Sequence, residues 1–321
     1  MEVPLPPMSA RTRWSVLSIL LFTLTVGSRA HAGPWSLAPG EFYTELRGGW
    51  FSADTYHAPD GGRKFLAGGG LWEQRSLTSH TEFGWKSKLN FILGIPVLSV
   101  TRTLDPDHRD LFTQTGLGDA QFGFRYKIFT GPAAAAFQID WKAPLSYERS
   151  RVLSHSDSVA AGDASGDGDS LDANAARQLG SPVLGDGQQD VTFSLLYGGP
   201  LTKNGFFQVA GGYKYRFEKP RDQIVLAADA GYWVTSWLLL AARYQGEMAS
   251  EGDRPTDEPD EHRVGPWLVY RIDDHMDLFA GSLSTFSASN QLHYDEIQVG
   301  FAFRQTKLNR LQGYSGGMAA P

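Results

Sequence analysis

Residues 120–128 read Ala-Gln-Phe-Gly-Phe-Arg-Tyr-Lys-Ile. Successive side chains of a strand point to opposite faces. Ala120, Phe122, Phe124, Tyr126 and Ile128 therefore share one face, while Gln121, Gly123, Arg125 and Lys127 share the other. This is a strand with one greasy side and one wet side. The pattern returns at 207–217, where Phe207, Val209, Gly211, Tyr213, Tyr215 and Phe217 alternate with Gln208, Gly212, Lys214 and Arg216. It returns again near the C-terminus, with Ile297, Val299, Phe301 and Phe303 set against Glu296, Gln298, Gly300 and Arg304.

Working outward, segments of this kind fall at 41–52, 76–85, 88–102, 116–129, 132–144, 186–199, 205–217, 223–234, 237–249, 261–272, 275–287 and 292–304, an even count of twelve. Segments 88–102 and 275–287 alternate poorly. The connections are more informative than any one strand. Tight turns such as Lys86-Ser87, Thr235-Ser236 and Asp273-Asp274 alternate with long polar stretches, the longest at 145–185. Long loops on one side and short turns on the other mark an outer-membrane barrel, with short periplasmic turns and long extracellular loops. A secreted sandwich would scatter long loops over both ends. Strands of ~12 residues at ~3.3 Å each, tilted by ~40°, project to ~30 Å, the scale of a bilayer core. In hydrocarbon every backbone amide needs a partner, which a closed sheet supplies. The expected fold is all-β: a closed antiparallel transmembrane barrel over residues 41–304. Trp85, Phe129, Tyr197, Trp233 and Trp237 beside the short turns, and Trp50, Trp141, Tyr215 and Tyr244 near the long loops, read as interface belts.

Composition agrees. Of 321 residues 36 are glycine, 12% are aromatic and 20% are charged, and the net charge is −6. The aromatic content excludes a disordered chain. The absence of cysteine excludes disulfides, thiolate metal sites and a cysteine nucleophile. Residues 1–32 read as a secretory signal: Arg11 and Arg13 precede the apolar stretch Trp14 to Val26, and Ala30-His31-Ala32 is a small-residue cleavage site. Residues 33–40 follow as a short periplasmic segment, and 305–321 as a polar tail. An acidic exported chain offers no electrostatic footing to nucleic acid. Its expected partners are outer-membrane lipid, lipopolysaccharide and a small solute; the oligomeric state stays open.

With apolar faces toward lipid, the wet faces line a lumen. Strands near the N-terminus contribute Glu45, Arg47, His80 and Glu82, and the next group contributes Arg125, Lys127, Gln138, Asp140, Lys142 and Asp190. The C-terminal half adds Lys214, Arg216, Arg243, Glu247, Arg263, Arg271, Glu296 and Arg304. Bases exceed acids in this set, which suggests weak anion preference. Twelve strands lie between the eight that close around a filled interior and the sixteen that leave a wide channel, so the bore should be narrow and crossed by paired side chains. Either a small-solute pathway or a merely braced wall fits that description.

The loops hold weaker signals. Asp163, Ser165, Asp167 and Asp169 alternate with small residues like the start of a calcium loop, but Leu171 and Asn174 stand where the later ligands belong. A solvated acidic loop fits better, with no cofactor and only weak divalent-cation association. Residues 251–261 are similarly acidic. The compact cluster Ser154-His155-Ser156-Asp157 lies in a loop and lacks a held base and a preorganised oxyanion site, so no enzymatic activity is expected. His80 and Glu82 share a face with no serine placed between them.

Two stretches resemble a known family. Gly116-Leu117-Gly118-Asp119, leading into Gln121, Gly123 and Arg125-Tyr126, is one, and Pro182-Val183-Leu184-Gly185-Asp186-Gly187-Gln188, running to Asp190-Val191, is the other. Both resemble the outer-membrane transporters named for the MetA pathway of phenol degradation. The resemblance spans residues 41–304 and implies a barrel that passes a small hydrophobic or aromatic solute. Glycine and aspartate in both motifs equally suit a structural turn. One departure stands out: such barrels commonly finish on an aromatic residue, whereas Phe303 is followed here by Arg304 and the 305–321 tail. The functional expectation is an outer-membrane channel for such a solute. The alternative is a non-conducting barrel that meets a partner through its long acidic loop.

Overall fold

The computed structural model describes residues 34–58, 61–66, 70–103, 111–129, 131–145, 189–217, 222–250, 260–289 and 291–305. Its strands are β1 (Phe42–His57), β2 (Arg63–Phe65), β3 (Leu71–Lys86), β4 (Leu89–Thr103), β5 (Leu111–Leu117), β6 (Asp119–Phe129) and β7 (Ala134–Pro144). They continue as β8 (Asp190–Pro200), β9 (Gly205–Arg216), β10 (Gln223–Trp233), β11 (Leu238–Ala249), β12 (Asp260–Arg271), β13 (Met276–Ser289) and β14 (Gln291–Gln305). All pairings are antiparallel, and β14 returns to pair with β1 from Phe42↔Gln305 to His57↔Gln291. The result is a closed 12-strand barrel, with β5 and β6 acting as one wall strand and β2 as a short flap on β1.

Every expected segment is a strand. Several run further at the long-loop end: β1 reaches His57 and β3 begins at Leu71. Following the pairing once round the barrel returns to β1 displaced by about 14 residues, which at ~3.3 Å per residue and ~4.8 Å per strand tilts the strands by ~40°.

The short turns have local causes. Thr235 Oγ1 accepts from the backbone N–H of Leu238 at 3.0 Å, closing the β10–β11 turn. Asp273 Oδ1 accepts from the N–H groups of His275 and Met276 at 2.6 and 2.8 Å, closing β12–β13. Each side chain supplies the acceptor that a two- to four-residue reversal leaves missing.

The 116–129 segment is interrupted. Gly94↔Gln121 and Val97↔Leu117 differ in register, so Ile95 and Pro96 face three residues, Gly118 to Ala120. Gly118 N–H donates to the Pro96 carbonyl at 2.9 Å. The Gly118-Asp119 motif is thus a β-bulge that turns Asp119 inward toward Lys142.

The alternation sorts as expected on most strands. Phe124, Tyr126, Ile128, Phe193, Leu195, Val209, Leu240, Ile297 and Val299 are exposed on the outside, while Arg125, Asp190, Arg243 and Arg304 are buried within. On β4 both faces are apolar: Ile92, Pro96, Leu98 and Val100 point inward, which is why 88–102 shows no alternation. On β13 inward Phe279 and Leu283 face outward Ser282 and Ser284, reversing the usual sense.

Candidate functional site: the inner wall and its floor

The register places each wet-face residue of the sequence analysis on the inside. Glu82, buried on β3, is gripped by Arg125 of β6, with Nη1 donating to Oε2 at 2.7 Å and Nη2 to Oε1 at 3.0 Å. This pair reaches across the intervening β4. His80 Nε2 lies 3.0 Å from Glu82 Oε1, and Arg125 Nε donates to Gln138 Oε1 at 2.8 Å. Gln138 in turn donates to Asp140 at 2.6 Å. Among the described residues no serine or threonine hydroxyl is hydrogen-bonded to His80.

Lys142 meets Asp190 at 2.6 Å, and Arg216 meets the same carboxylate at 3.3 Å. Lys214 crosses over β10 to Glu247 at 2.6 Å. Arg263 crosses over β13 to Glu296 at 3.3 Å and also approaches Glu261 at 3.5 Å. Arg47 donates to Gln298 at 2.7 Å beside Glu45. Lys127 takes its inward place on β6 between Arg125 and the β6–β7 turn.

The expected excess of bases is corrected. Inward Asp119, Asp229, Glu261 and Asp277 were absent from the sequence set and bring the acids level with the bases. Asp229 holds Arg243 at 2.8 Å, and Asp277 holds Arg304 at 2.7 Å. Asp229 was masked by its apolar neighbours in Ala227-Ala228-Asp229-Ala230, where only the period of two betrays its direction. A wall so balanced has no built-in preference for anions.

A second correction concerns aromatics. Trp85, Phe129, Tyr197 and Trp237 are exposed near the short turns, and Trp50, Trp141 and Tyr215 nearer the long loops, as a belt requires. Trp233 is not among them: it points inward and is only 5% exposed. It belongs to an interior cluster with Phe206, Leu239, Trp267, Val269, Phe279 and Ala302, packed at the short-turn end between β9 and β14. Arg243 stacks on Trp267 at 4.2 Å and Arg271 on Trp233 at 4.3 Å. The assumption that apolar side chains face lipid fails here because the short-turn end of the barrel is filled as a soluble core is filled.

The chain before β1 closes the same end. Pro34 is fully buried, and Trp35 reaches inward-facing Gly198 of β8. Gly40 N–H donates to the Gly84 carbonyl at 2.8 Å, and Gly84 N–H to the Glu41 carbonyl at 2.9 Å. The Ala38 carbonyl lies where a side chain at Gly84 would stand, so only glycine admits this crossing. Glu41 N–H donates to the Ala38 carbonyl at 3.0 Å, closing a turn beside β3, and the chain before it places Trp35 beside Gly198 of β8, so Trp35–Glu41 form a strap inside the mouth. Residues 33–40 were expected merely to precede the barrel; the described part, from Pro34, lies within its mouth.

The signal segment 1–32, the Asp163–Asp169 stretch, the Ser154–Asp157 cluster, most of the 251–261 loop and all but Gln305 of the tail lie outside the described residues. Among the described residues no three His, Cys, Asp or Glu side chains are grouped as metal ligands.

No family model matches the chain, and no curated protein does. Solved structures do. The COG4313 outer membrane channel from Pseudomonas putida F1 superposes with a TM-score of 0.64 at 10% identity, covering 87% of this chain and 99% of that one. The NanC porin (TM-score 0.45, 11% identity, 82% and 100% covered) and the P. putida toluene transporter TodX (0.42, 8%, 85% and 92%) are too distant in shape to argue from. The likeness shows the fold alone: this chain has the fold of an outer-membrane β-barrel.

Proposed function

We propose that the protein is an outer-membrane channel of a Gram-negative bacterium that passes a small hydrophobic or aromatic solute. The inward apolar stripe of β4 carries this reading. Pro96 and Leu98 keep accessible surface on the barrel wall, with Ile92 and Val100 fully buried on the same face, where a purely water-filled pore would present polar groups. Around the stripe, cations and carboxylates neutralise one another, so the wall rewards an uncharged, apolar body over a free ion. The resemblance to the phenol-degradation group supports the same solute class. The signal-like sequence of residues 1–32 and an exposed outer aromatic belt support the location, with lipid and lipopolysaccharide as the proposed surroundings. Passage requires the Trp35–Glu41 strap to move.

Planar bilayers with one lipopolysaccharide leaflet test this. Purified protein should give discrete current steps that added benzyl alcohol interrupts, and Leu98→Asp should abolish the interruptions while the steps remain. No steps, and no aromatic uptake above protein-free vesicles, would overturn the proposal.

A further inference from the structure

Two histidines meet where the barrel closes, at the long-loop end of its first and last strands. His57 Nε2 lies 3.1 Å from His293 Nδ1, and the ring centroids are 5.1 Å apart. Register explains the meeting. Had the Phe51↔Glu296 alignment continued, His293 would oppose Asp54 and point away from His57. The bulge between Ser52 and Thr55 adds a residue to β1, so that Thr55 opposes His293 and His57 opposes Gln291. Both imidazoles then share one face of the seam.

The His57 ring is also oriented from behind. Its Nδ1 is 3.1 Å from the Gly61 carbonyl, which can only accept, so the ring proton sits on Nδ1 and Nε2 keeps a free lone pair. Gly61 is itself fixed: its φ is +79°, and its N–H donates to the Ala58 carbonyl at 2.8 Å. One ring nitrogen tied to a backbone carbonyl, with the other presented to a partner, is how metal-ligating histidines are set up. His57 is buried, while His293 is half-buried and keeps access to solvent. The charged side chains acting on His293 are Asp54 and Asp295 against Arg63, whose Nε donates to Thr55 Oγ1 at 3.0 Å.

We infer that His57 and His293 form a two-histidine site for a divalent transition-metal ion of the zinc class, which clasps β14 to β1 at the outer rim. Two imidazole nitrogens each ~2.0–2.1 Å from a tetrahedral zinc ion stand about 3.3 Å apart, close to the gap that the rings already hold. The ion takes the place of the hydrogen between the rings and asks for no separate cavity. His293 gives its Nδ1 proton to water and takes one on Nε2, so its tautomer changes and its charge does not. Water reaching the solvent side of His293 fills the remaining positions. Imidazole ligands suit zinc, copper and nickel, whereas calcium wants oxygen. The site goes beyond the channel proposal and stands without it.

Zn2+ is the probe, titrated by calorimetry into the untagged full mature chain in detergent, with Ca2+ in excess to occupy exposed carboxylates. His57→Asn and His293→Asn should each weaken Zn2+ binding at least about tenfold, and His275→Asn, at a short turn, should leave it unchanged. Cu2+ on the parent chain should give an electron paramagnetic resonance spectrum with two coordinated nitrogens, and on either variant with one. Zn2+ should also raise the temperature at which the folded band is lost in heat-modifiable migration, in the parent and not in the two variants. The same migration without metal checks that the variants fold. Zn2+ binding indifferent to both substitutions, its displacement by excess Ca2+, or a parent Cu2+ spectrum with fewer than two nitrogens would overturn the site.

Discussion

Truncating Glu82 or Arg125 should be expensive singly and cheap together. Both side chains are at most 2% exposed and joined by two hydrogen bonds of 2.7 and 3.0 Å across an intervening strand. Glu82→Leu leaves a buried guanidinium whose sole remaining contact of note is Gln138, and Arg125→Met leaves a buried carboxylate with His80 alone. Removing one partner of a buried pair costs about 3–5 kcal/mol, because the other keeps its desolvation penalty. Removing both takes the penalty away, so the double variant should return to within ~1 kcal/mol of the parent, a coupling of several kcal/mol. Urea unfolding of protein refolded into lipid vesicles, followed by tryptophan fluorescence, measures all three. Single variants that unfold with the parent, and a coupling near zero, would mean that water screens the pair. The braced inner wall described here would then be wrong.

Three further outcomes follow from other parts of the wall. Leu195→Arg, on the exposed outer face of β8, should cost about 2–4 kcal/mol of refolding stability in vesicles and reduce heat-modifiable protein; a neutral result would argue against lipid at that face. Gly84→Val should expel the Ala38 carbonyl and raise single-channel conductance, whereas an unchanged conductance would mean the strap does not obstruct the mouth. Because acids and bases balance inside, the reversal potential in a KCl gradient should stay near zero; a clear anion-selective shift would restore the excess of bases that the sequence suggested.

The barrel was legible in the sequence because a period of two and unequal loops are consequences of lipid outside and water within. Phe122 to Ile128 could hardly do otherwise. Its interior was less legible. The same period tells which residues share a face, yet not whether that face meets water, so Trp233, Phe206 and Phe279 were assigned outward or left unassigned. Asp229 and Asp277 escaped for the opposite reason, as single charges in apolar or turn-like surroundings. The strap left no periodic trace at all: what admits it is the missing side chain of Gly84, two strands' length away from Ala38 in sequence.

The closing seam offers the most direct test of the whole account. Gly48 of β1 lies opposite Val299 of β14, and a side chain added at Gly48 meets only ordinary contacts. Paired strand residues sit ~4.5–5.5 Å apart, within reach of a disulfide, and the chain contains no other cysteine. Gly48→Cys with Val299→Cys should oxidise to an intramolecular crosslink in native membranes, while Gly48→Cys with Leu268→Cys on β12 should not. Failure of the first pair, or equal crosslinking by both, would contradict a cylinder joined between its first and last strands.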